Sequence, residues 1–188
     1  MLNEALLFLL DVVLQSFAAI LLLRFHLQWL RAPLRNPVGE FVMVFTDFIV
    51  LRARRYIPSA WGYDSATLLL ALLVEVVYLA CVLWIQGYLG HVFPLPGLLV
   101  LAAVKLLKTS IYLLMAAVFA QAILSWVNPH TPISSILAVI TERFLRPLRR
   151  VVPVLGNIDL SSMVLLIICQ LIVIVPVVML ERVAFSLF

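Results

Sequence analysis

The chain reads as an all-α polytopic membrane protein: four transmembrane helices in two tandem parallel repeats, each with a short amphipathic or re-entrant helix between its spans. Three observations predict this. The 188-residue sequence is 65% hydrophobic and 12% charged, with a mean hydropathy of +1.20, against roughly 45–50% apolar and about 25% charged in soluble domains. Its four long apolar runs are each sufficient to cross a hydrocarbon core of about 30 Å at about 1.5 Å per residue. A constant offset of 95 residues carries Pro37 onto Pro132, Thr46 onto Thr141, Asp47 onto Glu142 and Pro58 onto Pro153. The same offset carries Arg54 and Arg55 onto Arg149 and Arg150, and Asp64 onto Asp159.

The first repeat, residues 1–92, opens with a span over about 5–29. It lacks a basic n-region and a small-x-small cleavage site, so it is expected to be a retained span and not a signal peptide. After it, Phe41, Val44, Phe45, Phe48 and Ile49 recur at helical spacing, with Thr46 and Asp47 off that stripe. A dozen residues make a helix of about 18 Å, too short to cross, which lies on the membrane or dips in and returns. The second span covers about 65–88.

The second repeat, 93–188, starts with a stretch over about 95–108. It reads either as interfacial, with Lys105 and Lys108 reaching outward, or as an extension of the third span; the interfacial reading is preferred. Spans follow over about 109–127 and 160–183, and Pro176 is expected to kink the last one. Between them Ile133, Ile136, Leu137, Ile140 and Phe144 form a stripe against Ser134, Ser135, Thr141 and Glu142. With two residues gapped, the "LQW" ending at Trp29 also matches the "LSW" ending at Trp126.

Charge placement orients the spans. Nine arginines fall in the first and third connections: Arg31, Arg35, Arg52, Arg54, Arg55, Arg143, Arg146, Arg149 and Arg150. The middle connection has no Lys or Arg, and only Lys105, Lys108 and Arg182 dissent. The positive-inside rule makes the arginine side cytoplasmic and both termini periplasmic in a bacterial inner membrane. Two hairpins then share one orientation, related by an axis along the membrane normal. Arg52, Arg54, Arg55, Arg146, Arg149 and Arg150 are candidates for three roles: topology determinants resting on phosphates, binders of anionic lipid headgroups, or a docking surface for a membrane or cytoplasmic protein. Nucleic acid is not expected, because no aromatic platform or folded basic domain accompanies the charge. Pro58 and Pro153 cannot continue a helix. Asp64 and Asp159 stand where a carboxylate caps the next span and complements its dipole.

A span ending in Trp leads in both halves to a Pro elbow ("RNPVGEF", "NPHTPI"), an amphipathic helix, Arg-Arg-x-[Ile/Val]-Pro and an aspartate opening the next span. This doubled pattern resembles the YggT family, whose plastid and Gram-positive relatives are called YlmG. The first elbow, "LRARRYIP", departs from the family's usual form, with Ala53 where the second half has Leu148 and Leu51 where a proline is expected. The resemblance implies an integral inner-membrane protein without an established biochemical activity. Family members are associated with osmotic-stress tolerance, with the neighbourhood of cell-division genes and, in plastids, with nucleoid distribution and cytochrome-complex assembly.

Polar residues inside spans are costly and usually face a partner or cavity. Glu75 stands eleven residues after Asp64, and Gln170 eleven after Asp159. Each is thus about 16 Å along its helix, near the midplane, where a pseudo-two-fold axis could bring them face to face. In the tryptophan register Asp11 matches Lys108 and Arg24 matches Gln121, while Asp11 and Gln15 share a helix face. These groups either bond the bundle together or line a path for an ion or proton.

Nucleotide loops, HExxH helices, CxxC pairs and nucleophile elbows are absent from the sequence. His26, His91 and His130 are scattered, no metal site or cofactor is expected, and Cys81 and Cys169 lie in apolar runs as buried thiols. The expectation is a non-enzymatic scaffold or assembly factor, linked through the resemblance to envelope, osmotic-stress or cell-division processes. The alternative is an ion channel or transport component in osmotic adaptation. Four spans leave little room for a pore, so that alternative calls for a homo-oligomer.

Overall fold

A computed structural model describes residues 1–33, 36–58, 64–87, 95–127, 131–152 and 159–186. Arg35, His91, His130 and Pro153, and the centre of the middle connection, lie outside the described residues. Every regular element among the described residues is helical: α1 Leu2–Trp29, α2 Pro37–Ala53, α3 Ser65–Ile85, α4 Leu95–Val127, α5 Pro132–Arg149 and α6 Leu160–Phe185. Four of them, α1, α3, α4 and α6, are long and apolar enough to cross a membrane.

Local chemistry sets the boundaries. Asn36 caps α2 by accepting from Gly39 N–H at 2.8 Å, with Pro37 at the first helical position, where its missing donor is no loss. Thr131 caps α5 in the same way through Ser134 N–H at 3.2 Å. At the end of α1, Ala32 N–H bonds Leu27 O (2.8 Å) and Arg31 N–H bonds Gln28 O (3.1 Å), the paired bonds of a Schellman close. Arg31 takes the left-handed position at φ 53°, where glycine is usual. Gly87 does the corresponding work after α3, at φ 76°.

Two helices carry a wide π-type turn. One, Asp11–Gln15 in α1, begins and ends on a polar residue, Asp11 and Gln15. The other, Val173–Val177 in α6, contains Pro176. The wide turn absorbs the proline, and the helix runs on to Phe185.

Helix α4 sits at the centre of the bundle, contributing Leu106, Leu98, Leu101, Ala102 and Val118 to three of the four apolar clusters. Small residues let the backbones approach, among them Ala18, Ala71, Ala102 and Ala184, all essentially inaccessible. The remaining cluster joins the halves: Leu27, Ala32 and Val42 pack with Ile136 and Ile140. Both arginine elbows are therefore at one end of the bundle.

Three features differ from the sequence reading. The stretch 95–108 is not a separate interfacial element; it is the first part of a continuous 33-residue helix. Its lysines do not reach outward, because each has a partner inside the bundle, described below. Helices α2 and α5 run 17 and 18 residues, not a dozen, which makes each about 25 Å long. Finally, the stripe of Phe41, Val44, Phe45 and Phe48 is exposed, and the series Val42, Thr46, Val50 is what packs inward. In lipid an apolar stripe gains nothing by turning inward, whereas Thr46 needs a polar partner.

Candidate functional site

Each elbow is built around one ion pair. In the first, Arg54 donates to Asp64 at 2.6 Å. Asp64 also accepts from the backbone N–H and hydroxyl of Thr67, capping α3. With its amide turned to satisfy both neighbours, Gln28 accepts from Arg54 at 2.9 Å and donates to Asp64 at 2.8 Å. In the second elbow Arg149 bonds Asp159 at 2.9 Å and Glu142 at 2.8 Å, and Asp159 caps α6 through the N–H and hydroxyl of Ser161. The pairs Arg54–Asp64 and Arg149–Asp159 are related by the 95-residue offset. Partial burial pushes both aspartates up, but the guanidinium and hydroxyl partners outweigh it and hold each carboxyl below its ordinary value.

Arg54 and Arg149 are thus committed to holding the chain. The other elbow arginines named from sequence, Arg52, Arg55, Arg146 and Arg150, are partly or fully open to solvent. Arg146 makes one long contact with Glu142, at 3.5 Å. Arg143, which the sequence did not single out, lies 5.3 Å from the centre of the Trp29 ring. That cation–π contact ties one half to the other.

Deeper in the bundle, Arg24 is 4% exposed and donates to Thr46 Oγ1 (2.6 Å) and Asp47 Oδ1 (2.7 Å). Its matched residue, Gln121, hydrogen-bonds the Thr141 hydroxyl. Both threonines also donate to the carbonyl four residues back, at 2.6 and 2.8 Å. The span-to-short-helix contact is therefore the same in each half, made once with a charge and once without.

Toward the opposite end, Glu75 is fully buried and accepts from Gln15 Nε2 at 3.0 and 3.2 Å. One turn along, Tyr78 donates to Asp11 at 3.0 Å, and Lys105 lies 5.0 Å from the Tyr78 ring centre. Lys108 bonds Glu181 at 2.8 Å. The expected Glu75–Gln170 pairing is absent: Gln170 is on the exposed face of α6. The offset sets depth along a helix but not its rotation, and Gln15 on the adjacent α1 reaches Glu75 first. Asp11 and Lys108 do not pair with each other either. Each bonds the later span of its own half.

Sequence reasoning missed Tyr78, Lys105 and Glu181 as partners. A signal was present, since Glu75 and Tyr78, three apart, and Asp11 and Gln15, four apart, each stand about one turn apart on a single helix face. Among the described residues, no three His, Cys, Asp or Glu gather closely enough to hold a metal ion, and Cys81 and Cys169 are free thiols.

Comparison with known proteins adds one family. The sequence model described as CCB3/YggT matches residues 3–85 and 100–180. A protein of Escherichia coli strain K12 named "Uncharacterized protein YggT" is 34% identical over 166 residues, covering 88% of this chain and 85% of its own. An "Uncharacterized protein in proC 3'region" of Vibrio alginolyticus is 33% identical, covering 85% and 86%. One from Haemophilus influenzae is 32% identical, covering 80% of each. No solved structure matches.

Proposed function

The chain belongs to the CCB3/YggT family, and on that premise we propose that it is a non-enzymatic scaffold or assembly factor of the bacterial inner membrane. It serves envelope, osmotic-stress or cell-division processes. Its arginine elbows face the cytoplasm, with both termini periplasmic, and meet anionic headgroups and a protein partner. One observation carries this reading. The charges within the spans are closed against partners in the chain, Arg24 on Asp47, Glu75 on Gln15, Asp11 on Tyr78 and Lys108 on Glu181. Arg52, Arg55, Arg146 and Arg150 instead stand accessible at one end. Polar groups bonded in this way hold a bundle together; exposed arginines beside a headgroup layer attract anionic partners.

A second reading rests on the polar chain Gln15–Glu75 and Asp11–Tyr78–Lys105, which brings a buried carboxylate into line with titratable neighbours. It makes the protein an oligomeric ion channel or transport component in osmotic adaptation, with Glu75 as the carrier group. Two measurements separate the readings. Purified protein in liposomes should give no ion flux above empty vesicles. Glu75→Gln should complement a deletion strain under osmotic stress at normal membrane abundance. Flux, or a null phenotype with abundance intact, establishes the transport reading in place of the scaffold.

A further inference from the structure

We propose that the second half holds one anionic glycerophospholipid, its acyl chain in an apolar cleft between α1, α4 and α5 and its phosphate against Arg143, Arg146 and Arg150. The inference rests on the reading that the elbows face an anionic leaflet, and it adds a bound stoichiometric ligand to that reading.

The cleft measures about 510 Å³, within the range of pockets that enclose a small amphiphile. His26 and Trp29 of α1, Ala117 and Ala120 of α4, and Ile136 and Phe144 of α5 are among its walls. Ala116, Ala117 and Ala120 leave room in the α4 wall beside the larger Leu107, Ile111 and Leu114. Along α4 the wall runs from Leu107 to Ala120, about 20 Å of helix starting near its middle and directed toward the elbow end. That is close to the depth of one leaflet, about 15 Å of hydrocarbon. The lining is almost wholly apolar, and two of its polar groups bond within the chain: His26 Nδ1 bonds Leu22 O at 2.7 Å, and Ser110 donates to Leu106 O at 2.9 Å. An occupant is therefore asked to be apolar along its length.

Charge enters only at the elbow end. Trp29, part of the cleft wall, is also the ring beneath Arg143. Arg143, Arg146 and Arg150 then line a shallow groove of about 470 Å³ on α5 with Glu142 and Pro147. All three arginines are exposed. Glu142 is held chiefly by Arg149 at 2.8 Å and reaches Arg146 only at 3.5 Å, so the groove keeps a positive excess. A second copy of the chain or an apolar peptide would suit the cleft but not the arginines; a soluble anion would suit the arginines but not the cleft. A phospholipid with an anionic headgroup uses both.

The test is native mass spectrometry of delipidated, detergent-purified protein titrated with phosphatidylglycerol or phosphatidylcholine. The wild type should retain one phosphatidylglycerol per chain in preference to phosphatidylcholine. Arg143→Gln with Arg150→Gln should weaken phosphatidylglycerol by about fivefold per arginine, the equivalent of about 1 kcal/mol each, and leave phosphatidylcholine unchanged. Ala120→Phe, which fills the cleft, should weaken both lipids. Arg52→Gln with Arg55→Gln, in the other elbow, should leave retention as it was. The two arginine pairs are exposed and expected to fold, so they decide the matter if phenylalanine at 120 is not tolerated. Equal retention of the two lipids, retention indifferent to Arg143 and Arg150, or a lipid-free dimer broken by Ala120→Phe would each overturn the site. None of these would produce ion flux, so a failed lipid site and a failed scaffold reading are told apart.

Discussion

Replacing Asp47 by Asn removes the carboxylate that meets the Arg24 guanidinium at 2.7 Å. It leaves a cation whose side chain is 5% exposed and whose Nε is already buried without a hydrogen-bond partner. Removing one partner of a fully buried pair costs about 3–5 kcal/mol. The Asp47 side chain is 41% exposed, so water already shares that contact, and a loss of about 2–3 kcal/mol is expected. For a chain of this size that lowers the melting temperature by about 4–12 °C. The other half supplies the remedy: Gln121 stands where Arg24 does and satisfies Thr141 without charge. Adding Arg24→Gln to Asp47→Asn should therefore recover about 1–2 kcal/mol, since the stranded charge is gone and Thr46 keeps a partner. Thermal melts of the purified protein, followed by circular dichroism, compare wild type, both single variants and the double. If the double melts no higher than Asp47→Asn alone, the pair is not coupled and the account of Arg24 fails.

Other expectations follow from the same geometry. Reporter fusions just after Gly87 and at the C-terminus should report the periplasm, and fusions after Asn36 or Arg150 the cytoplasm; a C-terminus on the same side as the Arg150 fusion would break the four-crossing order, and all four reversed would overturn the orientation. Asp64 and Asp159 have folded pKa values below their ordinary ones. The stability they contribute is thus fully present above the unfolded-state value and lost as pH falls through the folded one. Melting temperature should hold from neutrality to about pH 4 and drop below it, while Asp64→Asn with Asp159→Asn starts lower and loses less on acidification; a gap that stays constant to pH 3 would contradict this. Arg54→Gln and Arg149→Gln should lower the melting temperature, whereas Arg52→Gln with Arg55→Gln should leave it alone. Arg31→Gly should raise stability by up to about 1 kcal/mol by relieving a left-handed residue, seen as a higher melting temperature.

Sequence alone made the spans, the elbows and the capping aspartates legible, because these depend on position along the chain. Apolar length marks a crossing, and an aspartate before such a run has a defined job at its first turn. Rotation about a helix axis was not legible. In water a hydrophobic stripe points inward and fixes it; in lipid, Phe45 and Phe48 are as well placed outward as inward, and only polar needs orient the helix. Glu75 was accordingly assigned to Gln170 in place of Gln15. Lys105 and Lys108 suggested an interfacial segment because a lone lysine in a span is expensive. The Tyr78 ring and Glu181 that make them tolerable come from other helices, which no local pattern reveals.

The polar contacts described above share one property. Arg24 with Thr46 and Asp47, Gln15 with Glu75, Tyr78 with Asp11 and Arg54 with Asp64 all close within residues 1–92. Lys108 with Glu181, Gln121 with Thr141 and Arg149 with Asp159 close within 93–188. Between the halves the joints are apolar packing, Trp29 under Arg143 and Tyr78 under Lys105. A ribosome adding about 5–20 residues per second finishes the first hairpin some seconds before the second emerges. During that interval each polar group of this set in the nascent hairpin already has its hydrogen-bond partner, and its waiting surface, Leu27 and Val42, meets acyl chains as readily as protein. The first hairpin can leave the translocon with these bonds already made, and the second, whose Lys105 meets the Tyr78 ring only on docking, can join it afterwards by lateral diffusion.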